Sequence, residues 1–195
     1  MTSIALLGTS ADPPTCGHQA LLEQLLDYHE QVVTWASDNP SKRHALPLEQ
    51  RCSLLQTLVN AIGDPRLSLV QELSSPWAMT TLQRAKARWP HQTLSFVVGS
   101  DLAPQILSWK AADQFVACCQ ITIVPREGWP IPHGAIRQLR ANGGHVELLP
   151  LRIPGTASSR ARTDADASQI PSVLRPLLRE KGFYGFSATP DPAAH

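Results

Sequence analysis

The sequence predicts a doubly wound α/β fold, built on a mostly parallel sheet of five to six strands. Short apolar runs rich in β-branched residues alternate with longer segments of helical periodicity along the chain. Helical segments lie between successive apolar runs, which is the pattern of right-handed crossovers between parallel strands. A chain of 195 residues with 43% hydrophobic residues is large enough for one domain with a substantial core.

The individual elements follow from local patterns. In the first helix, Leu21, Leu22, Leu25 and Leu26 recur at the spacing of one helical face, and Pro47 suits the first turn of the second. The predicted strands span residues 3–7, 31–35, 67–70, 94–98, 120–124 and 146–149. The predicted helices span residues 17–28, 47–62, 79–89, 131–141 and 171–181. Residues 1–186 are therefore expected to form one domain. The segment 187–195 (SATPDPAAH) is small, polar and rich in proline, which predicts a disordered tail.

Composition excludes several classes of protein. The net charge of +1 gives no electrostatic reason to expect nucleic acid or a membrane surface as partner. No apolar run approaches the about 18 residues that cross a bilayer, and no basic region precedes a long apolar stretch as in a secretory signal. The four cysteines form neither a CxxC pair nor a zinc-ligand cluster, which favours reduced thiols in a cytoplasmic protein. They are Cys16, Cys52, Cys118 and Cys119.

A loop at residues 8–18 (GTSADPPTCGH) joins the first predicted strand to the first predicted helix. Gly8 permits a tight turn and the close approach of a ligand, and Thr15 can cap the helix through its hydroxyl. The helix N-terminus offers free backbone N–H groups and the positive end of the helix dipole, which favour phosphate. A cation is disfavoured at that end, so His18 is expected beside an anion. The loop alone leaves open a strand–turn–helix in which His18 caps or packs.

Two further features can be interpreted in two ways. Gly99-Ser100-Asp101 follows a predicted strand, where the acid could accept hydrogen bonds from ribose hydroxyls, or the segment could be an ordinary helix N-cap. Trp109 could stack on a planar ring or belong to the core.

Residues 8–18 resemble the GxFxPxHxGH signature of the nucleotidyltransferase superfamily, in its TxGH variant. Ala11 stands where an aromatic residue is usual, and Thr15 replaces the first histidine. Residues 157–162 (ASSRAR) look like the late SSTxIR-like motif of the same superfamily, with Ala157 in place of the first serine. The resemblance implies a Rossmann-like nucleotidyltransferase fold with catalytic roles for His18, Thr15 and Arg162. The residues that it assigns to ATP binding are Gly8, Thr9, Ser10, Gly17, His18, Gly99, Asp101, Ser158, Ser159 and Arg162.

Nearly the whole chain is similar to nicotinate-nucleotide adenylyltransferases, most of all to cyanobacterial members. Residues 35–51 look like the acceptor loop of that family, in which Pro40, Lys42 and Arg51 take the expected places and Ser41 replaces a histidine. Residues 94–109 and 121–129 resemble two further family segments. Of the family's SYTxxTL segment, residues 76–82 of this chain match only the final Thr81-Leu82. The loss of the SYT part leaves the choice between acid and amide substrate open. The residues assigned to acceptor binding are Lys42, Arg51, Thr81, Trp109 and Arg126.

The resemblance implies an enzyme of NAD biosynthesis that transfers AMP from ATP to nicotinate mononucleotide, or also to nicotinamide mononucleotide, and releases pyrophosphate. Mg²⁺ would accompany ATP, without a dedicated metal site in the protein. Two alternatives stay open: pantetheine-phosphate adenylyltransferase, which shares the TxGH loop, and a regulatory module that binds nucleotide without turnover. The sequence also leaves open whether the protein forms a homo-oligomer.

Overall fold

Six strands form one sheet in the order β3-β2-β1-β4-β5-β6, and every neighbouring pair is parallel. A computed structural model describes residues 3–39, 42–151, 153, 158–163 and 165–187. The predicted α/β class is confirmed, with six strands and no antiparallel pair among the described residues. None of the helices in the described ranges is long and apolar enough to cross a membrane. Most of the predicted tail, residues 188–195, lies outside the described residues.

The strands match the predicted ones to within two residues at each end. They are β1 Ser3–Thr9, β2 Gln31–Ala36, β3 Leu67–Leu69, β4 Thr93–Gly99, β5 Gln120–Val124 and β6 His145–Leu148. The helices are α1 Cys16–Leu25, α2 Leu48–Ile62, α3 Ala78–Arg88, α4 Ala112–Cys118, α5 His133–Ala141, α6 Ser158–Thr163 and α7 Arg175–Lys181. Short 3-10 segments lie at Gln71–Leu73, Ala103–Ser108, Ala167–Gln169 and Phe183–Gly185.

Two hydrophobic layers cover the two faces of the sheet. Successive side chains of a strand point to opposite faces, so Ile4 of β1 belongs to one layer and Ala5 to the other. The first layer packs α3, α4 and α5 against the sheet, and the second packs α1 and α2 against it. Strands buried on both faces are typical of parallel sheets, which explains why the apolar runs are continuous rather than alternating.

The sequence patterns missed α4 and α6, which are short. Helix α4 has seven residues and α6 has six, too few for a helical periodicity to stand out. Helix α4 also follows Ala111, which has a positive φ of 58° and shows no helix-start signal in sequence.

The C-terminal part of the chain forms a third, smaller core against α2. Ala161 of α6, Leu174 and Leu178 of α7, and Phe186 are buried together with Leu54 of α2. This cluster places α6, which carries the late motif, beside the loop that follows β1.

Candidate active site

A cleft of about 1040 Å³ opens at the carboxyl ends of β1 and β4. The chain runs outward from β1 through β2 to β3, and β4 then starts on the other side of β1. The gap between β1 and β4 is therefore the topological switch point, where ligands of open α/β sheets bind. The cleft wall includes Gly8 at the end of β1 and Gly99 at the end of β4.

Gly8 is needed for space rather than for a turn. Strand β1 continues to Thr9, so the prediction that Gly8 ends the strand in a tight turn is wrong. Trp35 is the residue opposite Gly8 in β2, and a Cβ atom on Gly8 would lie 2.8 Å from the Trp35 indole. Gly8 therefore makes room for an indole ring of the cleft wall, and the close approach of a ligand to Gly8 stays a prediction.

His18 and Thr15 form a fixed pair at the start of α1. The backbone N–H of Thr15 donates to His18 Nδ1 at 3.0 Å, and the Thr15 hydroxyl lies 2.8 Å from the same nitrogen. Because a backbone N–H can only donate, Nδ1 acts as an acceptor, and the proton of the neutral ring resides on Nε2. His18 lines the cleft, so this tautomer offers it an N–H donor.

His18 is neutral over the physiological pH range. Burial, followed by the positive charges of Arg126 and Lys42, lowers the pKa of His18 to about 4. Each of these factors disfavours the imidazolium form. Without a ligand, His18 is thus an uncharged donor near two cations, Arg126 and Lys42, whose charges lower its pKa. An anion bound in the cleft would instead act to raise the pKa of His18.

The late motif meets the first loop across the cleft. Ser158 Oγ donates to the carbonyl oxygen of Pro13 at 3.0 Å, and Arg162 Nη1 donates to the carbonyl oxygen of Asp12. Both Ser158 and Arg162 line the cleft, as do Thr9, Ser10 and Gly17 of the first loop. Ala157 and the side chain of Ser159 lie outside the described residues.

Asp101 lies in the turn after β4 and pairs with Arg126. Their Nη1 and Oδ2 atoms are 3.5 Å apart, and both side chains line the cleft. The backbone N–H of Arg126 donates to Ser100 Oγ at 3.3 Å, which fastens the end of β5 to the turn after β4. The loops after two neighbouring strands thus meet at one place in the cleft.

The acceptor residues predicted from the sequence divide into two groups. Lys42, Thr81, Trp109 and Arg126 line the cleft, but Arg51 does not. Trp109 packs edge-on against Phe96 of the core, with ring centroids 6.4 Å apart, as one of the two interpretations predicted. It also borders the cleft, so its stacking on a planar ring stays a prediction.

Arg51 is buried and hydrogen-bonds to the loops that form the cleft wall. Its side chain is 1% exposed, and Nη1 donates to the carbonyl oxygens of Ser10 at 2.6 Å and Ser37 at 2.8 Å. Its Nε donates to the carbonyl oxygen of Leu46 at 3.1 Å. Its predicted contact with the acceptor is therefore corrected: these donors bond to backbone carbonyls of two loops, the one after β1 and the one between β2 and α2, and the side chain positions both. Pro40 and Ser41 of the same segment lie outside the described residues.

The cleft-lining residues that sequence reasoning missed include Asp12, Trp35, His44, Trp77 and Lys110. His44 Nε2 is buried and has no hydrogen-bond partner among the described residues. One related signal in the sequence is Ser41, which stands where the family has a histidine. That signal does not identify His44 as a residue of the cleft. Asp12 was detectable as an acid inside a loop otherwise suited to phosphate.

Most of the charged side chains described in the cleft wall are positive. The chain as a whole has a net charge of +1, whereas lysines and arginines outnumber carboxylates in the cleft wall. Among the described residues of the wall, the carboxylates are Asp12 and Asp101, and each lies within 4 Å of an arginine of the same wall. The cations are Lys42, Arg43, Lys110, Arg126 and Arg162. Such a surface attracts a polyanion.

The fold and this cleft define a doubly wound α/β protein with a ligand-sized site at the sheet's switch point. The cytidylyltransferase-like family model matches residues 6–169. A probable nicotinate-nucleotide adenylyltransferase of Synechocystis sp. is 33% identical, and the match covers 93% of this chain and 98% of the relative. One of Thermus thermophilus is 24% identical over the same shares.

The chain therefore belongs to the cytidylyltransferase-like family, in which these relatives carry the name nicotinate-nucleotide adenylyltransferase. Its fold matches that of a Plasmodium falciparum nicotinic acid mononucleotide adenylyltransferase complexed with NaAD. The TM-score is 0.78 over 97% of this chain and 100% of that chain, at 19% identity. The same enzyme complexed with APC gives a TM-score of 0.75.

Proposed function

We propose that the protein transfers the adenylyl group of ATP to the phosphate of nicotinate mononucleotide and releases pyrophosphate, as a cytoplasmic enzyme of NAD biosynthesis. The observation that carries this proposal is the meeting of His18 and Arg162 in one positively charged cleft, although they are far apart in sequence. The names of the relatives support the choice of reaction. The cleft volume of about 1040 Å³ is at the upper end for small-molecule sites, which suits two nucleotides side by side.

The reaction needs charge stabilisation and alignment more than proton transfer. A phosphate oxygen of the mononucleotide bonds to the α-phosphorus of ATP, and the bond from that phosphorus to the oxygen bridging the β-phosphate breaks in line. The leaving pyrophosphate keeps the electron pair of that bond. Because the attacking phosphate is already anionic, no general base is required. His18 Nε2–H would donate to the triphosphate, with Thr15 fixing its ring, and Arg162 with Ser158 would bind the β- and γ-phosphates.

Magnesium would enter with ATP. The described residues include no group of three or more His, Cys, Asp or Glu side chains arranged to hold a metal. Both carboxylates of the cleft lie beside arginines, which fits an ion held mainly by phosphate oxygens and water.

At the acceptor side, Lys42 and His44 would face the mononucleotide. The buried Nε2 of His44 has no partner among the described residues, so a phosphate or ribose oxygen could satisfy it. Thr81, Trp109 and Trp77 would surround the pyridine ring. The Lys110 ammonium lies 4.7 Å from the centre of the Trp77 ring and supplies a positive charge there. A carboxylate on the ring gains from that charge and an amide does not, which favours the acid.

The test is an assay of pyrophosphate release with ATP and three acceptors: nicotinate mononucleotide, nicotinamide mononucleotide and phosphopantetheine. We expect turnover with the pyridine nucleotides, fastest with the acid. Turnover with phosphopantetheine alone would identify a pantetheine-phosphate adenylyltransferase instead. Tight binding of ATP without release of pyrophosphate for any acceptor would identify a regulatory module, and either result overturns the proposal.

Lys110→Gln tests the preference for the acid. We expect the ratio of kcat/KM for acid over amide to fall by about 2- to 5-fold, a small factor because Lys110 is exposed. Lys86→Gln changes an exposed lysine near the amino ends of the strands, away from the cleft, and is the matched control. An unchanged ratio in Lys110→Gln would remove Lys110 from acceptor selection.

A further inference from the structure

The C-terminal 3-10 turn reaches back to the phosphate loop through one side chain. Tyr184 Oη donates to Asp12 Oδ1 at 2.8 Å, across more than 170 positions of sequence. Tyr184 has a positive φ of 56°, which a residue with a large side chain adopts only where surrounding contacts impose it. Burial and the hydrogen bond to the Asp12 carboxylate raise the pKa of Tyr184 well above its usual range. The phenol is therefore a permanent donor in this contact.

Asp12 joins three segments of the cleft at its carboxylate. It is 1% exposed. Oδ2 accepts the backbone N–H of Ala45 at 2.7 Å, and Oδ1 accepts that of Leu46 at 3.3 Å in addition to the Tyr184 hydroxyl. Arg162 Nη1 lies 3.6 Å from Oδ2 and donates to the Asp12 carbonyl oxygen. A carboxylate in a phosphate loop would repel the ligand, but here these donors offset its charge.

Helix α6, which carries Arg162, depends on such contacts for its position. A helix of six residues is too short to be stable alone, so packing decides where it lies. Ala161 is fully buried in the small C-terminal cluster, against which Tyr184 and Phe183 also pack. The turn at Phe183–Gly185 contacts α6 directly. Asp12 and the C-terminal turn thus hold α6 from two sides.

We infer that Tyr184 is a positioning residue for ATP: by fastening the C-terminal turn to Asp12, it sets α6 and Arg162 against the phosphate loop. The inference rests on the proposed function for the identity of the ligand. It assigns no contact between Tyr184 and substrate. On the acceptor side, Ala45 and Leu46 bond Asp12 through their own backbone N–H groups, at Oδ2 and Oδ1, so removing the Tyr184 hydroxyl leaves both of these bonds in place.

Tyr184→Phe removes only the hydroxyl, and Tyr28→Phe is the matched control because Tyr28 is exposed and is the other tyrosine of the chain. In Tyr184→Phe we expect KM for ATP to rise about 5- to 30-fold, less than the about 10- to 150-fold that the loss of a hydrogen bond to a charged group can cost, because the effect reaches ATP only through α6. KM for the pyridine mononucleotide should change less than 2-fold, and Tyr28→Phe should match the wild type. Equal increases in both KM values, or no increase in KM for ATP, would overturn the inference.

Asp12→Asn provides the second arm. An amide has one acceptor oxygen and cannot serve both sets of donors, so we expect KM to rise for ATP and for the mononucleotide together. No rise in KM for ATP in Asp12→Asn would overturn the inference.

Binding of a non-hydrolysable ATP analogue separates this inference from the proposed reaction. If no acceptor supports turnover, the proposed function fails, yet Tyr184→Phe must still weaken binding of the analogue in calorimetry. If turnover is normal and Tyr184→Phe binds the analogue as the wild type does, the inference fails alone.

Discussion

The neutral His18 ring predicts a measurable loss of folding stability in mild acid. Its pKa is about 4 in the folded chain, against an ordinary value of 6.5. Because folding depresses the pKa, the contribution is fully present above about pH 6.5 and is lost as the pH falls toward about 4. Between about pH 7.5 and 5, protonation of the unfolded chain at this one site lowers the free energy of unfolding by about 2 kcal/mol. A folded pKa one unit higher would still give about 1.6 kcal/mol over that interval.

Urea denaturation of the ligand-free protein at the two pH values measures this effect. His29 and His44 also have pKa values lowered mainly by burial, so the wild type alone does not isolate His18. His18→Gln removes one titrating ring, and its loss of stability on acidification should be about 2 kcal/mol smaller than that of the wild type. His91→Gln, at an exposed histidine, is the control and should behave as the wild type. Equal losses in His18→Gln and wild type would refute a buried neutral ring.

The other predictions concern single side chains around the cleft. Arg162→Ala should lower kcat/KM for ATP by about 100-fold or more, as expected for one lost charge-stabilising donor; unchanged ATP kinetics would remove it from the site. Gly8→Ala should cost about 1–3 kcal/mol in urea denaturation, since the added methyl group meets Trp35, whereas Gly134→Ala, where a Cβ meets nothing within 4 Å, should not destabilise. Arg51→Met leaves three carbonyls without their donor and should cost about 1–3 kcal/mol for each that stays unsatisfied. A stable Arg51→Met protein with a raised KM for the acceptor alone would restore the ligand role that the sequence predicted.

The fold was predictable because it depends on patterns that are local in sequence. Runs such as residues 120–124 are buried on both faces, so their composition alone marks them as strands. The first loop was readable from its own chemistry, whereas the late motif was assigned through its resemblance to a family motif. Their assembly into one cleft follows from topology, because the carboxyl ends of parallel strands lie at one edge of the sheet.

The roles of Gly8 and Arg51 were not predictable in the same way. Each depends on a neighbour that is close only in the folded chain: Trp35 in β2 for Gly8, and the carbonyls of Ser10 and Ser37 for Arg51. An arginine in a loop-flanking helix has the same sequence signal whether its guanidinium faces a ligand or a carbonyl. Only burial separates the two, and burial is a property of the tertiary structure.

The two buried charges explain how a loop of this sequence can be rigid before any ligand binds. Arg51 bonds the carbonyl oxygen of Ser10, and the next acid along the chain, Asp12, bonds Ala45, Leu46 and Tyr184. When the nucleophile is already an anion, rate depends on donors held in place before the reaction, because reorganising them would consume part of the binding energy. Arg162 would serve both purposes, since it lines the cleft and also donates to the Asp12 carbonyl oxygen. Arg51 bonds backbone carbonyls and does not line the cleft, so it can hold the loop independently of any ligand, as the proposed adenylyl transfer by alignment requires.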